Sequence, residues 1–472
     1  MTAETAAPRL EVPSEAVELG DRFARAGHRL LLVGGAVRDL LLGRPSGREF
    51  DFSTDARPDQ TLRVLRGWAE HQYLQGIRFG TVGARRGGVT VEITTFRKEI
   101  YREDDRHPTV TFGDDPVVDL SRRDFTVNAM AVRLPERELV DPFGGVRDLA
   151  ARLLETPLEP ELSFSDDPLR MLRAARFVAQ LGMEPSPRVV EAMGAMAERL
   201  DIVSVERIRD ELSKLVVAER PSAGLELLAR TGLAERFLPE LPALALEQDP
   251  VHRHKDVLRH TFVVVERCEP DLVLRLAALL HDIGKPATRQ FTDDGVQFHG
   301  HDVVGARMAE VRLRALRYPS DVVAEVRSLV EMHLRFHSFR LGWSDAAVRR
   351  YVRDAGPLLD RLNQLVRADC TTRNVQKATF LSALQDELEL RIARLAEEEN
   401  LERIRPPLDG RQVMERLGVR PGPVVGEALA HLLEERMERG PIPEDEALAL
   451  LDEWWAARQA GDGEGGPEAA PS

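Results

Sequence analysis

Cysteine is nearly absent from this sequence, which has two among 472 residues. Two cysteines are too few for a disulfide framework or a cysteine-ligated zinc module, so Cys268 and Cys370 are predicted to act as small buried hydrophobic residues. An uninterrupted apolar run long enough to cross a bilayer is also missing, and we expect no membrane role. Residues 1–8 lack the basic segment and apolar core of a secretion signal. We therefore expect a cytoplasmic protein.

The net charge of −14 argues at first sight against a nucleic-acid partner, because phosphate binding needs local lysine and arginine. Net charge, however, averages over domains. Arginines are concentrated at positions 170, 173 and 176 and again between 307 and 353, whereas acidic residues crowd the last hundred positions. This separation of signs leaves RNA binding open.

The length of the chain indicates three or four units. Up to about residue 157 apolar runs alternate with turns and helical patterns, whereas from about residue 166 the apolar period is 3.6. We predict an α+β protein with a mixed α/β head followed by helical domains. The expected parts are a flexible lead 1–18, a head 19–158, a helical neck 159–248, a histidine-bearing domain 249–375, a helical tail domain 376–460 and a disordered tail 461–472.

Two acidic residues, Glu49 and Asp51, stand two positions apart in the head. On a strand both would face the same side, and a pair of carboxylates so placed suits Mg²⁺. Alone, such a pair is usually an exposed strand face. A third acid, Glu92, lies among β-branched residues and would need a partner such as a metal if it were buried.

A pair of glycines, Gly34 and Gly35, follows the apolar run 30–33, with Arg38 close behind. Glycines there would let backbone N–H groups approach a phosphate at the start of a helix. Alone, the pair would usually be a tight turn.

Four further segments extend this pattern, at residues 78–83, 119–130, 141–145 and 166–177. In this order the segments resemble the class II CCA-adding and poly(A) polymerase family of the polymerase-β nucleotidyltransferase superfamily, most strongly over residues 20–240. The resemblance implies tRNA, CTP and ATP as partners, with Glu49, Asp51 and Glu92 catalytic and two Mg²⁺ ions held by Glu49 and Asp51. It also implies a set of nucleotide-binding residues, which are Gly34, Gly35, Arg38, Arg123, Asp124, Asn128, Asp167, Arg170, Arg173 and Arg176. Within it, Gly35, Arg38 and Arg123 would contact the triphosphate and Asp124 the ribose.

The sequence departs from the family at Glu49, where the family pattern has aspartate. The extra methylene moves the carboxylate oxygens, and a misplacement of about 1 Å can cost on the order of 100-fold in rate. We expect an active site whose turnover is reduced by this change.

Asp167 is followed by a proline, so it is predicted to cap a helix on which Arg170, Arg173 and Arg176 share one ridge. The alternative is a capped helix with a solvated basic face. Beside a nucleotide, the carboxylate would accept a hydrogen bond from the amino group of cytosine or adenine, while Arg170 donates to the adjacent ring acceptor. Uracil and guanine would present a carbonyl to the carboxylate. The resemblance thus implies that Asp167 and Arg170 select CTP and ATP.

The polar segment 101–108 is predicted to be a mobile loop. In CCA-adding relatives a flexible loop at this place helps the switch from C to A addition. Its presence argues against an enzyme that adds only C.

A second constellation contains an adjacent pair, His281 and Asp282, after an apolar helix. A single buried histidine is more often a core residue, but two neighbouring side chains can converge on one ion. The spacing resembles the HD phosphohydrolase superfamily, whose matching ligands here would be His260, His281, Asp282 and Asp369, with His301 and His333 available for a second ion.

The HD resemblance implies a divalent transition metal and hydrolysis of phosphoesters such as 2′,3′-cyclic phosphates at RNA ends; the alternative is a structural remnant. Two other functions remain open for the whole chain. One is a poly(A) polymerase, and the other is an HD hydrolase whose head only binds RNA. The oligomeric state is not indicated.

Overall fold

The computed structural model describes residues 10–45, 47–102, 105–246, 256–292, 295–371, 374–399 and 405–463, with the backbone alone for the described residues within 98–111 and for 340, 341 and 461–463. The chain divides into two compact units. The first contains the chain up to residue 246 together with residues 312–318, and the second contains the remainder.

A seven-stranded sheet, in the order β3-β4-β5-β2-β1-β8-β9, forms the centre of the head. Its core is a cluster of buried aliphatic and aromatic residues that includes Leu32, Phe50, Phe52 and Ile93. The head strands are β1 (Leu30–Val33), β2 (Glu49–Thr54), β3 (His71–Tyr73), β4 (Thr81–Arg86), β5 (Val89–Thr95), β6 (Arg97–Arg102), β7 (Asp105–Phe112), β8 (Ala131–Leu134) and β9 (Glu138–Val140).

Strands β6 and β7 pair with each other as an antiparallel hairpin outside the main sheet. The prediction of a mobile loop over 101–108 is therefore wrong, apart from residues 103 and 104, which lie outside the described residues. The physical reason is the β-branched and aromatic content on both sides of the turn, which favours paired strands over loop.

Helices surround the sheet and continue into the neck. The first helix begins at Ser14, inside the predicted flexible lead, because Ala16, Leu19 and Phe23 give it a buried face. The helices of this unit are α1 (Ser14–Arg25), α2 (Gly35–Leu41), α3 (Pro58–Val64), α4 (Pro116–Ser121), α5 (Gly145–Ala151), α6 (Pro160–Asp166), α7 (Leu169–Leu181), α8 (Pro187–Ala195), α9 (Val205–Val216), α10 (Pro221–Arg230) and α11 (Leu233–Phe237). A two-residue parallel pair joins β10 (Leu153–Leu154) to β11 (Glu184–Pro185).

Among its described residues, the second unit has only one pair of strands, the small hairpin of β12 (Gln290–Thr292) and β13 (Gly295–Gln297), and its other regular elements are helices. Its helices are α12 (Val257–Arg267), α13 (Leu272–Leu280), α14 (Lys285–Thr288), α15 (His301–Ala315, whose last four residues belong to the first unit), α16 (Ser320–Met332), α17 (Asp345–Ala355), α18 (Leu359–Asp369), α19 (Val375–Glu399), α20 (Gly410–Leu417), α21 (Pro423–Arg439) and α22 (Glu444–Gly463). The predicted α+β class, with a mixed head and a helical remainder, is confirmed.

Helix α22 extends three residues into the predicted disordered tail, and residues 464–472 of that tail lie outside the described residues. No helix in the described part of the chain combines the length and the apolar composition that a membrane crossing requires.

Candidate nucleotide and metal sites

The three predicted catalytic carboxylates lie on two adjacent parallel strands. Asp51 on β2 stands directly opposite Glu92 on β5, and Glu49 lies two residues before Asp51. The first four residues of β2 alternate between the core and solvent, so Phe50 is buried while Glu49 and Asp51 are exposed. The period of two thus places Glu49 and Asp51 on one side of the sheet, as predicted, and Glu92 on β5 is exposed as well.

The carboxylates repel one another in this arrangement. Desolvation and the neighbouring Glu49 raise the pKa of Asp51, and the positive charge of Arg123 opposes this rise. Desolvation followed by the charges of Asp51 and Glu49 raises the pKa of Glu92. A bound cation would relieve both effects, so these residues fit a metal. Among the described residues, however, the carboxylate oxygens of these three acids do not form a group in which all ligand atoms lie within 4.8 Å of one another.

Gly34 has no side chain, which leaves space for the guanidinium group of Arg123 beside these acids. It has a φ of +74°, and a Cβ atom there would lie 2.9 Å from Nη1 of Arg123 and 3.8 Å from Oδ2 of Asp51. The Nε atom of Arg123 is buried without a hydrogen-bond partner. Burial lowers the pKa of Arg123, whereas Asp119 and Asp51 raise it. The arginine predicted to meet the triphosphate therefore lies next to the carboxylates.

A chain of hydrogen bonds connects the head to the neck. Arg38 Nη1 donates to Asn128 Oδ1 at 2.7 Å, and Asn128 Nδ2 donates to Asp124 Oδ1 at 3.0 Å. Arg173 Nε on α7 donates to the other oxygen of Asp124 at 2.9 Å. Burial alone would raise the pKa of Asp124, but Arg173 and Asn128 lower it to about 2. Four of the predicted nucleotide-binding residues are thus brought together.

The ridge of arginines on α7 is held by acidic partners and by one aromatic ring. Arg176 Nε donates to Glu211 Oε2 at 2.6 Å, and Arg173 Nη1 lies 3.6 Å from Glu211 Oε1. The guanidinium groups of Arg38, Arg173 and Arg176 make cation–π contacts with the ring of Phe177, at 5.5, 5.5 and 4.4 Å from its centroid. The ridge is therefore not a solvated basic face.

Helix α7 begins at Leu169 with Pro168 in the N-cap position, one residue later than predicted. Asp167 still contacts the start of the helix, since its Oδ1 accepts a hydrogen bond from the amide of Leu169 at 3.2 Å. Arg170, its predicted partner in base selection, is 8% exposed. Arg170 Nη1 donates to Ser163 Oγ at 2.8 Å, and Nη2 donates to the carbonyl of Arg122. The partner that contacts the Asp167 carboxylate is Arg207 on α9, whose Nη2 donates to Oδ2 at 2.8 Å.

Arg207 was not predicted as a site residue, because nothing in the pattern of α9 shows which of its arginines faces the junction of α6 and α7. That choice depends on how α9 packs on α7.

All six predicted HD ligands meet in the second unit. His260, His281 and Asp369 form one group, and Asp282, His301 and His333 form another; within each group the ligand atoms lie within 4.8 Å of one another. Asp282 contacts both groups, with Oδ2 3.2 Å from Nε2 of His281 and Oδ1 3.5 Å from Nε2 of His301.

The histidines are oriented by hydrogen bonds on the side away from the cluster. Nδ1 of His281, His301 and His333 lies 2.8, 2.7 and 2.6 Å from the carbonyl oxygens of Ala278, Phe298 and Val330. A carbonyl only accepts, so each Nδ1 carries a proton, and Nε2 is left as the ring atom that would bind a metal. Nε2 of both His301 and His333 is buried without a hydrogen-bond partner. These residues therefore fit divalent metal.

Lys285 is a second residue that sequence analysis did not assign. Its Nζ donates to Asp282 Oδ2 at 2.7 Å, and it lies three positions after Asp282 at the start of α14. Its position directly after the His-Asp motif was the signal available in the sequence.

Family models match three parts of the chain. The poly A polymerase head domain matches residues 30–155, the probable RNA and SrmB-binding site of polymerase A matches residues 182–244, and the HD domain matches residues 259–398.

Relatives match nearly the whole chain. An A-adding tRNA nucleotidyltransferase of Deinococcus radiodurans is 35% identical over 438 residues, which cover 90% of this chain and 95% of the relative. A CC-adding tRNA nucleotidyltransferase of Thermus thermophilus is 34% identical, covering 91% and 94%. The crystal structure of the Bacillus stearothermophilus CCA-adding enzyme in complex with CTP superposes with a TM-score of 0.70 at 27% identity, covering 95% of this chain and 98% of that one. The chain therefore belongs to the family of tRNA nucleotidyltransferases, with an HD domain after its nucleotidyltransferase head.

Proposed function

We propose that this enzyme adds C, C and A in turn to the 3′ end of tRNA, using CTP and ATP and releasing pyrophosphate. The observation that carries the proposal is the placement of Arg123 beside Asp51, where Gly34 leaves space, with Glu92 on the adjoining strand. A triphosphate and its metal ions need this combination of cationic and anionic groups within a few ångströms. The names of the A-adding, CC-adding and CCA-adding relatives support the same substrate class.

In this proposal Glu49 and Asp51 hold two Mg²⁺ ions, and Glu92 adds a third negative charge to their site. Magnesium would supply activation of the attacking hydroxyl and charge neutralisation on the departing pyrophosphate. Arg123 and Arg38 neutralise the triphosphate while the RNA 3′ oxygen forms a bond to the α-phosphorus and the bond to pyrophosphate breaks. Asp124, oriented by Asn128 and Arg173, holds the ribose.

Base selection is assigned to the junction of α6 and α7. Asp167 accepts a hydrogen bond from the amino group of cytosine or adenine and repels the carbonyl of uracil or guanine. The family resemblance implies that Arg170 is the accompanying donor. Its contacts with Ser163 and the Arg122 carbonyl also position the segment that carries Arg123 and Asp124.

One experiment separates the possible products. Transcripts of tRNA that end before C, C and A, and transcripts that already end in C and C, are incubated with labelled CTP, ATP or both, and the products are sized. Stepwise addition of C, C and A supports the proposal. Addition of A only to transcripts ending in C and C would replace it with the activity named for the Deinococcus relative. Addition of two C residues alone would match the activity named for the Thermus relative. A long A tract would indicate a poly(A) polymerase. No extension would favour the alternative of an HD hydrolase whose head only binds RNA.

A second activity is supported by the converging histidines of the HD domain. We propose that His260, His281, Asp282 and Asp369 hold a divalent transition metal, that His301 and His333 help to hold a second, and that water opens 2′,3′-cyclic phosphates at RNA ends to monoesters. Metal here would supply a hydroxide at neutral pH. The test compares bound metal and phosphodiesterase activity of His281→Ala with those of His299→Ala, an exposed histidine that contacts Gln297. Activity that survives His281→Ala would exclude this centre.

A further inference from the structure

The carboxylate of Asp167 is held at both oxygens. Oδ1 accepts from the amide of Leu169, a contact that belongs to the helix cap, and Oδ2 accepts from Nη2 of Arg207. The side chain of Asp167 is 23% exposed and that of Arg207 is 51% exposed, so a ligand can reach both. Helix capping alone fixes one oxygen of an aspartate. The contact with Arg207 fixes the other.

Arg207 projects from a helix that is anchored on two sides. Four residues later on α9, Glu211 accepts from Arg176 of α7. Ser213 shares a hydrogen bond of 2.9 Å with the hydroxyl of Tyr318, and Arg209 Nη1 donates to the carbonyl of Arg317 at 2.7 Å. Residues 312–318 belong to the same unit as α9. Because the helix is anchored, the Arg207 guanidinium is directed at Asp167 by the fold.

Arg170 does not provide this contact. It lies three residues after Asp167, but its Nη1 and Nη2 donate to Ser163 and to the Arg122 carbonyl. Its guanidinium is buried, whereas that of Arg207 is half exposed. Of these two arginines, the one that sets the orientation of the Asp167 carboxylate is therefore Arg207.

We infer that Arg207 is a specificity-determining positioning residue, which holds the Asp167 carboxylate in the orientation that accepts the amino group of cytosine or adenine. This inference rests on the proposed base selection by Asp167. An aspartate held only by a backbone amide can rotate its free oxygen away from the base. Uracil and guanine are rejected because their carbonyl oxygen would lie against that carboxylate oxygen. Rotation of the carboxylate therefore weakens the rejection of UTP and GTP more than it weakens the binding of the correct nucleotide.

The test measures kcat/KM for CTP and for UTP on the transcript that the wild type extends with C, or for ATP and GTP if it adds only A. Arg207→Ala is expected to reduce the ratio of correct to incorrect nucleotide by roughly two- to fivefold, the range of one partly exposed ion pair. The change should appear mainly as a lower KM for the incorrect nucleotide, with KM and kcat for the correct nucleotide largely kept. Arg207→Lys retains a cation and should restore part of the ratio.

Two controls separate positioning from a structural effect. Arg188→Ala removes another exposed neck arginine, which pairs with Glu155 and Glu159, and should leave the ratio unchanged. Adding Arg207→Ala to Asp167→Ala should cause no further loss of selectivity, because the arginine acts through the aspartate.

The outcomes separate the two proposals. If the wild type is selective and Arg207→Ala is equally selective, the inference is wrong while the function stands. A uniform fall with all nucleotides, accompanied by a lower melting temperature, would show a structural role and also overturn it. If the wild type extends no transcript, the proposed function and the inference fall together.

Discussion

Asp51 and Glu92 occupy directly opposite positions on two parallel strands, and the charge of Asp51 helps to raise the pKa of Glu92. Two carboxylates so close are stabilised by a shared cation. The pairing places Glu92 beside Asp51, one of the two proposed magnesium ligands, even though Glu92 comes from a different segment of the sequence.

Removing the charge of Glu92 should weaken metal binding at this site. In Glu92→Gln the Mg²⁺ concentration that gives half-maximal extension is expected to rise on the order of tenfold, the lower end of effects seen around metal ligands. Mg²⁺ titrations of the extension rate measure it. Glu138→Gln, on the edge strand β9 and paired with Arg133, should titrate like the wild type. An unchanged titration for Glu92→Gln would separate Glu92 from the metal.

Shortening Glu49 should restore the ligand length of the family. We expect Glu49→Asp to extend tRNA faster than the wild type, by up to about 100-fold, because the oxygens shift by about 1 Å. Single-turnover rates at saturating nucleotide are the measurement. Equal rates would show that the sheet accommodates glutamate without loss, and a slower variant would show that the site has adapted to it.

A methyl group at position 34 should harm the site specifically. Both Gly34 and Gly43 have positive φ, but a Cβ at Gly34 would lie 2.9 Å from Arg123 whereas one at Gly43 would meet nothing within 4 Å. Gly43→Ala is expected to lower the free energy of unfolding by about 1 kcal/mol and to keep activity. Gly34→Ala should lose extension activity as well. Equal activities of the two variants would show that Arg123 moves aside without consequence.

The ion pair at Asp124 should make stability depend on pH in the acid range. Its pKa in the folded protein, about 2, is below the usual 3.8. The ionised form therefore stabilises the folded state above about pH 4, and this contribution disappears as the pH falls towards 2. The contribution of the ionised Asp124 to the free energy of unfolding amounts to about 2 kcal/mol.

Denaturant unfolding of the wild type and of Asp124→Asn at pH 7 and pH 3 measures this effect. The variant should be less stable at pH 7, and the difference should shrink at pH 3. Asp59→Asn, which removes an exposed pair with Arg63, serves as the control and should cost less than 1 kcal/mol at both values. A difference for Asp124→Asn that is independent of pH would contradict the ion-pair explanation.

The sequence predicted those parts of the site that follow from local periodicity or from motif order. The two-residue period of a strand placed Glu49 and Asp51 on one side, and the spacing of His260, His281 and Asp369 indicated a metal cluster. It also predicted that Asp167 lies at the start of α7, although the helix begins one residue later than predicted.

Features that depend on packing between distant segments could not be predicted. Arg170 turns inward because Ser163 and the Arg122 carbonyl lie on elements that meet only in the folded unit. Arg207 meets Asp167 for the same reason, across forty residues of sequence. The hairpin of β6 and β7 was predicted as a loop because the residues around its turn are polar, and nothing in the local pattern shows that the segments on either side pair with each other.

Asp282 belongs to one of the two histidine clusters but reaches the other, since its two oxygens point to His281 and His301. Asp282 is 1% exposed and its Oδ2 accepts a hydrogen bond from Lys285 Nζ, so the carboxylate is already ordered without metal. In the proposed two-ion centre this one carboxylate would serve both positions, and an ion at one of them would change the charge that the other ion meets. The two metal affinities are therefore expected to depend on each other instead of being two independent equilibria.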